Sequence, residues 1–187
     1  MDRRIPPTTA ADRDERTEEL LASFRRDDGT DLNIFATLAH HPRLLKRWSA
    51  FGGTLLFGGQ LPARDRELLI LRTAWLCKAE YEWGQHVLIG RDAGITDEEI
   101  ESIPEKEIPG AWGPREQALL RAADELHERS MISDSTWEAL ATEYDYQQLI
   151  EVCMVVGQYH MVAFTLNSLG IELEPTPGLA QFPQARA

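Results

Sequence analysis

Cysteine is scarce in this chain, since 187 residues contain only two, Cys77 and Cys153. They are far apart, and each lies in an apolar, helix-length run, so we expect buried structural thiols rather than a disulfide or a redox centre. Basic residues are also few, with 19 Lys and Arg against 31 Asp and Glu and a net charge of −12. This balance argues against nucleic acid or an anionic membrane as a partner.

Long apolar runs and an N-terminal leader pattern are also missing. No uninterrupted apolar stretch approaches the ~20 residues that span a bilayer. The charged N-terminus, MDRRIPPTTAADRDER, lacks the apolar segment of a signal peptide. The sequence therefore predicts a cytoplasmic protein, and its length and 43% hydrophobic content suit a domain with a sizeable core.

Helical periodicity dominates the chain, and no segment has the turn chemistry that borders strands, so we expect an all-α fold. We divide it into an N-terminal arm and helix over 1–29, a main domain over 30–172 and a C-terminal tail over 173–187. Residues 1–12 are expected to be disordered, and the tail to be disordered or extended over a neighbour. Helix starts carry prolines or capping pairs, namely Pro42, Pro114, Thr96 with Glu99, and Asp145 with Gln148.

The stretch 67–95, ELLILRTAWLCKAEYEWGQHVLIGRDAGI, predicts two buried helices with a break near Cys77. Glu82 and His86 are four residues apart in the second helix, which puts both side chains on one face within hydrogen-bond reach. Trp83 flanks that face. A carboxylate beside an imidazole in an apolar wall can tune proton transfer. The alternatives are a surface ion pair or a core histidine that Glu82 satisfies.

No metal or other cofactor is expected at this pair, because zinc takes three or four protein ligands. The remaining histidines are scattered along the sequence, at His40, His41, His127 and His160.

Four further residues are candidates for the walls of a site. Arg72 interrupts an apolar run and needs a carboxylate, either from a substrate or from a salt bridge within the protein or to another subunit. Glu67 reaches the site if the two helices fold back as a hairpin, and otherwise faces solvent or an interface. Tyr159 and His160, on the last long helix, can line the opposite wall, although a core tyrosine is equally consistent.

A weak internal repeat accompanies these motifs. The segment EWGQHVLIGRDAGI aligns with QYHMVAFTLNSLGI, so that Glu82 meets Gln158 and Trp83 meets Tyr159. Any two buried helices with a glycine stop resemble each other, so the pattern alone leaves duplication open.

The motifs R-x-R-E-L-L-I-L-R, Y-E-W-x-Q-H and A-G-I-T-D-E-E-I resemble the carboxymuconolactone decarboxylase and alkylhydroperoxidase D-like family over about 30–172. The resemblance implies a bundle of antiparallel helices built from a duplicated helical unit, assembled as trimers or hexamers. In the peroxidase branch, Cys-x-x-Cys-x-x-x-His would fall on Ala79, Glu82 and His86, with Glu67 as the upstream glutamate. Neither cysteine position holds a thiol, so the dithiol peroxidase route is excluded.

The decarboxylase branch, with His-Glu-x-x-x-His, is more similar, except that Tyr81 replaces the first histidine. We therefore expect a cofactor-free lyase or isomerase acting on a small carbonyl, lactone or aromatic-derived acid. His86 would be the general acid/base, Glu82 its orienting partner, and Tyr81 or Tyr159 a donor to the developing enolate. Arg72 would bind a substrate carboxylate.

Two other functions remain open at this point. The chain can be a non-catalytic, oligomeric ligand-binding or scaffold protein that has kept the fold. It can also be a peroxiredoxin-like oxidoreductase of the same family that acts through Cys77 by a route without a dithiol.

Overall fold

The computed structural model describes residues 3–105, 112–175 and 182–183, and in these ranges all regular secondary structure is helical. The all-α prediction is confirmed. A short 3₁₀ turn, Ala10–Asp12, comes first. The α-helices that follow are α1 Glu15–Ala22, α2 Asn33–Leu38, α3 Pro42–Phe57, α4 Ala63–Leu76, α5 Glu80–Asp92, α6 Asp97–Ser102, α7 Pro114–Arg129, α8 Asp134–Ala141 and α9 Tyr146–Leu169.

Helix α4 forms the centre of the bundle, because every residue from 67 to 74 is buried. A helix buried on all sides must pack against several partners, and α4 packs against α5, α7 and α9. The chain reverses after α4 in three residues, where Lys78 adopts φ +53° and the amide of Ala79 donates to the carbonyl of Ala74 at 2.9 Å. This turn sends α5 back along α4 and sets their buried faces against each other.

Gly90 permits a close approach of these two helices. A Cβ at this position would lie 3.3 Å from the Cδ1 atoms of Leu71 and Ile95 and 3.9 Å from the Cβ of Glu67. Glycine is therefore the residue that lets α5 pack at this distance from α4, one helical turn after His86.

The N-terminal segment packs on the main bundle, in contrast to the disorder expected for 1–12. Among the described residues, the hydroxyl of Thr8 donates to the carbonyl of Ala36 at 2.8 Å, and the amide of Arg4 donates to the carbonyl of Leu169 at 2.9 Å. These bonds use backbone acceptors that become available only after folding, so composition could not reveal them.

The described parts of the C-terminal tail, residues 173–175 and 182–183, lie on their own chain. Glu174 accepts hydrogen bonds from the hydroxyl of Tyr81 at 2.8 Å and from the side-chain amide of Gln85 at 2.9 Å. The ring of Phe182 stacks on Trp75, with centroids 5.3 Å apart. These described residues thus contact side chains of α4 and α5.

Helix α9 is long and apolar enough to cross a membrane by length and composition, with a mean hydropathy of 1.5. Half of that window is buried inside the bundle. A helix that packs in the core of a helical bundle has the same length and composition, and α9 packs against α4 with half of that window buried.

Candidate functional site

A glutamate–histidine pair joins the two helices of the hairpin. Nδ1 of His86 on α5 lies 2.7 Å from Oε2 of Glu67 on α4, and Nε of Arg66 donates to the other oxygen of Glu67 at 3.0 Å. Glu67 has no exposed surface and His86 is 7% exposed. Because Nδ1 carries the proton that Glu67 accepts, Nε2 of His86 is left with its lone pair. This arrangement makes His86 a base with an oriented ring.

Tyr159 on α9 closes the side of the histidine ring. The two rings meet edge to face, with centroids 4.8 Å apart and planes at 89°. Burial and the nearby carboxylate of Glu67 raise the pKa of Tyr159 well above its usual value of 10.0. Its phenol therefore stays protonated at neutral pH.

Glu82 lies one helical turn before His86 and is 2% exposed. Within residues 3–105, 112–175 and 182–183, neither of its carboxylate oxygens has a hydrogen-bond partner. Burial raises the pKa of Glu82 well above 4.5, because an apolar environment disfavours the charged form. The site thus combines an imidazole that Glu67 orients with a buried carboxyl group, one turn away, whose protonated form burial favours.

The partner of His86 differs from the one that spacing predicted. Glu67, nineteen residues earlier in the chain, takes the place at Nδ1 that was assigned to Glu82. A four-residue spacing brings two side chains to the same face but does not decide which carboxylate bonds the ring. The hairpin brings a second carboxylate across from α4, and that one forms the bond.

Arg72 is occupied within the protein, which corrects its expected role toward a substrate. Its Nε and Nη2 atoms donate to the two oxygens of Asp124 at 2.6 and 2.9 Å. Nη1 donates to the backbone carbonyls of Ile103 and Glu105. The fork geometry of the guanidinium is used in full to join α4, α7 and the loop after α6.

Three other residues that the sequence predicted for the site make their contacts with residues other than His86. The hydroxyl of Tyr81 donates to Glu174 in the tail. The indole of Trp83 is in the core and meets Phe182 edge to face at 5.9 Å. Nε2 of His160 lies 2.9 Å from Nδ1 of His127, in a separate cluster from His86. Of the eight candidates, the fold gathers Glu67, Glu82, His86 and Tyr159.

A second cluster of titratable side chains, away from His86, was not predicted from the sequence. Sγ of Cys77 lies 4.0 Å from Nδ1 of His127, whose ring contacts His160. Burial raises the pKa of Cys77 to about 11, which disfavours thiolate chemistry at neutral pH. These three side chains are 50 and 33 residues apart along the chain, so no local motif announces them. Among the residues that the structure describes, these three side chains have ligand atoms close enough together to hold a metal ion.

Sequence comparisons with known proteins relate part of this chain to one protein family. The sequence profile of the Carboxymuconolactone decarboxylase family matches residues 42–125, which include α4, α5 and the Glu67–His86 pair. Over these residues the chain is similar to the carboxymuconolactone decarboxylase family. None of the curated proteins matches the chain significantly in sequence.

Solved structures extend the likeness over nearly the whole chain. The AhpD core of a peroxidase-related protein from Ralstonia eutropha JMP134 is 19% identical, with a TM-score of 0.81 over 92% of this chain and 93% of that one. A peroxidase-related protein from Silicibacter sp. TM1040 is 16% identical, with a TM-score of 0.77 over 87% and 86%. These values confirm the alkylhydroperoxidase D-like helical fold.

A debrominase shares the fold as well. The debrominase Bmp8, a C-to-A variant solved in complex with 2,3,4-tribromopyrrole, is 14% identical with a TM-score of 0.77 over 94% of each chain. The family and fold therefore include enzymes, and identities this low establish the fold alone.

Proposed function

We propose that this protein is a cofactor-free enzyme of the cytoplasm that transfers protons on a small carbonyl compound, lactone or aromatic-derived acid. The proposal rests on one observation, which is the buried, unpartnered carboxyl group of Glu82 one turn from the imidazole of His86, whose ring Glu67 orients. Pairs of titratable groups whose environments separate their protonation states are characteristic of acid–base sites.

The chemistry follows from the protonation states. Nε2 of His86 removes a proton from the carbon next to the substrate carbonyl, and the C–H electron pair moves into the enolate. Glu82, as the acid, hydrogen-bonds or protonates the enolate oxygen, and Glu67 stabilises the imidazolium that forms. Return of the proton to another carbon gives isomerisation. Loss of carbon dioxide from a β-keto acid uses Glu82 in the same role toward the enolate.

Arg72 has no part in this proposal, because Asp124 and two carbonyls already occupy its guanidinium. Substrates need not therefore carry a carboxylate at that position. Tyr159 is the second protonated donor beside His86, and its edge contact keeps the imidazole ring in place.

The test is a panel of lactones, β-keto acids and aromatic acids, assayed for turnover and soaked into crystals. His86→Ala should lower kcat by about 10²- to 10⁴-fold, as general-base removal does elsewhere. Because the variant also loses the donor to Glu67, its thermal midpoint should fall, and the assay is run at a temperature at which it is folded. His40→Ala is the control, because His40 is an exposed histidine outside the candidate site, and this variant should retain activity. Ligand bound beside His86 without turnover would support a binding or scaffold protein instead.

We also propose a homo-oligomer, a trimer or hexamer, that covers an apolar stripe of α9. Ile150, Met154, Met161 and Phe164 follow a helical repeat and are each between 45% and 61% exposed. Ile150→Asp should shift the mass measured by light scattering toward the monomer, whereas an unchanged mass would contradict this interface.

A further inference from the structure

Three potential metal ligands converge from three separate elements outside the proton-transfer site. Cys77 is the residue that ends α4, His127 lies in the last turn of α7, and His160 lies in α9. Their ligand atoms, one from each residue, are all within 4.8 Å of one another. We propose that Cys77, His127 and His160 form a binding site for a divalent transition metal of the zinc class.

The neighbouring backbone fixes two of the ligands. Nδ1 of His160 lies 2.8 Å from the carbonyl of Val156, so it must be the protonated nitrogen and donate there. Its Nε2 therefore presents a lone pair toward Nδ1 of His127, 2.9 Å away. A histidine ligand held by a carbonyl at its other nitrogen is the usual outer arrangement of metal sites. The carbonyl of Cys77 is held in turn by the side-chain amide of Asn167 at 2.9 Å.

The distances fit a metal at the centre of the group. Zinc bonds of about 2.0–2.1 Å to nitrogen and about 2.3 Å to sulfur, at a tetrahedral angle, separate two nitrogens by roughly 3.3 Å and a nitrogen and a sulfur by roughly 3.6 Å. The observed separations are 2.9 Å for His127 to His160 and 4.0 Å for His127 to Cys77. Every pair of ligand atoms in the group lies within 4.8 Å, so side-chain adjustments of about one ångström bring the three to tetrahedral separations.

The ligand set indicates the metal class and an open coordination position. Two imidazoles and one thiolate suit zinc and its cobalt substitute better than magnesium or calcium, which prefer oxygen. Cys77 and His160 are half-buried and His127 is exposed, so water can reach the fourth position. On binding, the sulfur–metal bond replaces the S–H bond of Cys77, whose proton leaves to solvent, and His127 moves its proton from Nδ1 to Nε2 so that Nδ1 can bind the metal.

A metal here would join the ends of α4 and α7 to the middle of α9. Cys77 belongs to the turn that sets α5 against α4, five residues before Glu82. The ion would therefore fix the turn on which the hairpin depends. The site itself stands on its own contacts, whether or not His86 and Glu82 perform the proposed chemistry.

The test uses tag-free protein stripped of metal and titrated with Co²⁺, followed by Zn²⁺. One equivalent of Co²⁺ per chain should give sulfur-to-cobalt charge-transfer absorption and the intense visible bands of tetrahedral coordination, and Zn²⁺ should remove both. Cys77→Ser should abolish the charge-transfer band, and His127→Ala should weaken Zn²⁺ binding by at least about tenfold in calorimetry. Zn²⁺ should raise the thermal midpoint of the unaltered protein and not that of Cys77→Ser.

Cys153→Ser, which removes the other cysteine, is the matched control and should bind like the unaltered protein. His127 is exposed, so His127→Ala tests the site even if Cys77→Ser unfolds. The proposal is overturned if folded protein takes up no Co²⁺, which would leave a hydrogen-bonded histidine pair only. It is also overturned if Cys77→Ser and His127→Ala bind as the unaltered protein does, or if Cys153→Ser loses binding.

Discussion

Two buried polar regions on the α4–α5 hairpin differ in how completely they are satisfied. Around Arg72, the guanidinium donates to both oxygens of Asp124 and to two backbone carbonyls. Around Glu82, the described residues supply no hydrogen-bond partner to either carboxylate oxygen. Both residues are at most 4% exposed, so burial does not distinguish them.

The difference separates a structural group from a candidate for chemistry. A buried charge that is fully paired holds helices together, and removing it leaves its partners unpaired. A buried carboxylic acid without partners opposes folding, and it persists where an activity requires it. Glu67 lies between these cases, because it is fully partnered and its partner is His86.

Breaking the satisfied region should have the largest effect on stability. Arg72→Met should lower the free energy of unfolding by about 3 kcal/mol, because Asp124 and the carbonyl of Ile103 lose their donor. Urea denaturation at neutral pH measures it. Arg129→Met is the control, since Arg129 is 54% exposed in its pair with Glu125, and the loss there should be below about 0.5 kcal/mol. Equal losses in the two variants would mean that Arg72 is not a structural tie.

The second prediction concerns the partnered carboxylate of the site. Glu67→Gln should lower the free energy of unfolding by about 2 kcal/mol, because the charge-assisted bonds to His86 and Arg66 become neutral ones. The same urea experiment measures it. A variant as stable as the unaltered protein would show that the bond between Nδ1 and Oε2 contributes nothing to folding.

The matching change at the unpartnered carboxylate should have the opposite sign. The pKa of Glu82 is raised on folding, so above pH 4.5 the unfolded chain loses a proton that the folded chain retains. The free energy of unfolding then falls as pH rises toward the folded-state pKa, by up to about 1.4 kcal/mol per pH unit. Glu82→Gln removes this slope.

Glu82→Gln should therefore match the unaltered protein near pH 4.5 and be progressively more stable above it. Urea midpoints measured from about pH 5 to about pH 8 give the comparison. Parallel curves for the two proteins would mean that Glu82 ionises normally and has partners after folding, which would end its distinction from Arg72.

The smallest effect is expected at the edge of the hairpin. Tyr81→Phe removes the hydroxyl that donates to Glu174 and should lower the free energy of unfolding by at most about 1 kcal/mol. Hydrogen exchange should become faster for residues 172–175 and stay unchanged in α4. Faster exchange in α4 instead would place Tyr81 within the core of the site rather than under the tail.

Local signals predicted the helices well. Helices α3 and α7 begin at Pro42 and Pro114, and α6 and α9 begin directly after Thr96 and Asp145, as expected, because prolines and capping residues act within one turn of their own position.

The sequence predicted which residues form the site but not which of them are bonded to each other. Spacing identified Glu82 and His86, and the family motif added Glu67. Which carboxylate bonds His86 depends on the distance between two helices, and a sequence pattern does not contain that distance. The approach of His127 to His160 depends in the same way on how α7 packs against α9, so scattered histidines could not be recognised as neighbours.

Gly90 has no functional group, yet its small size controls the basicity of the site. A methyl group at that position would meet the δ-methyls of Leu71 and Ile95 at 3.3 Å, so a neighbour must give way by a few tenths of an ångström. If α5 is the element that yields, the bond between Glu67 and His86 lengthens, and the imidazole becomes a weaker proton acceptor. Reaction rates in such a bundle can thus be retuned by variation at helix contacts, while every ionisable side chain stays the same.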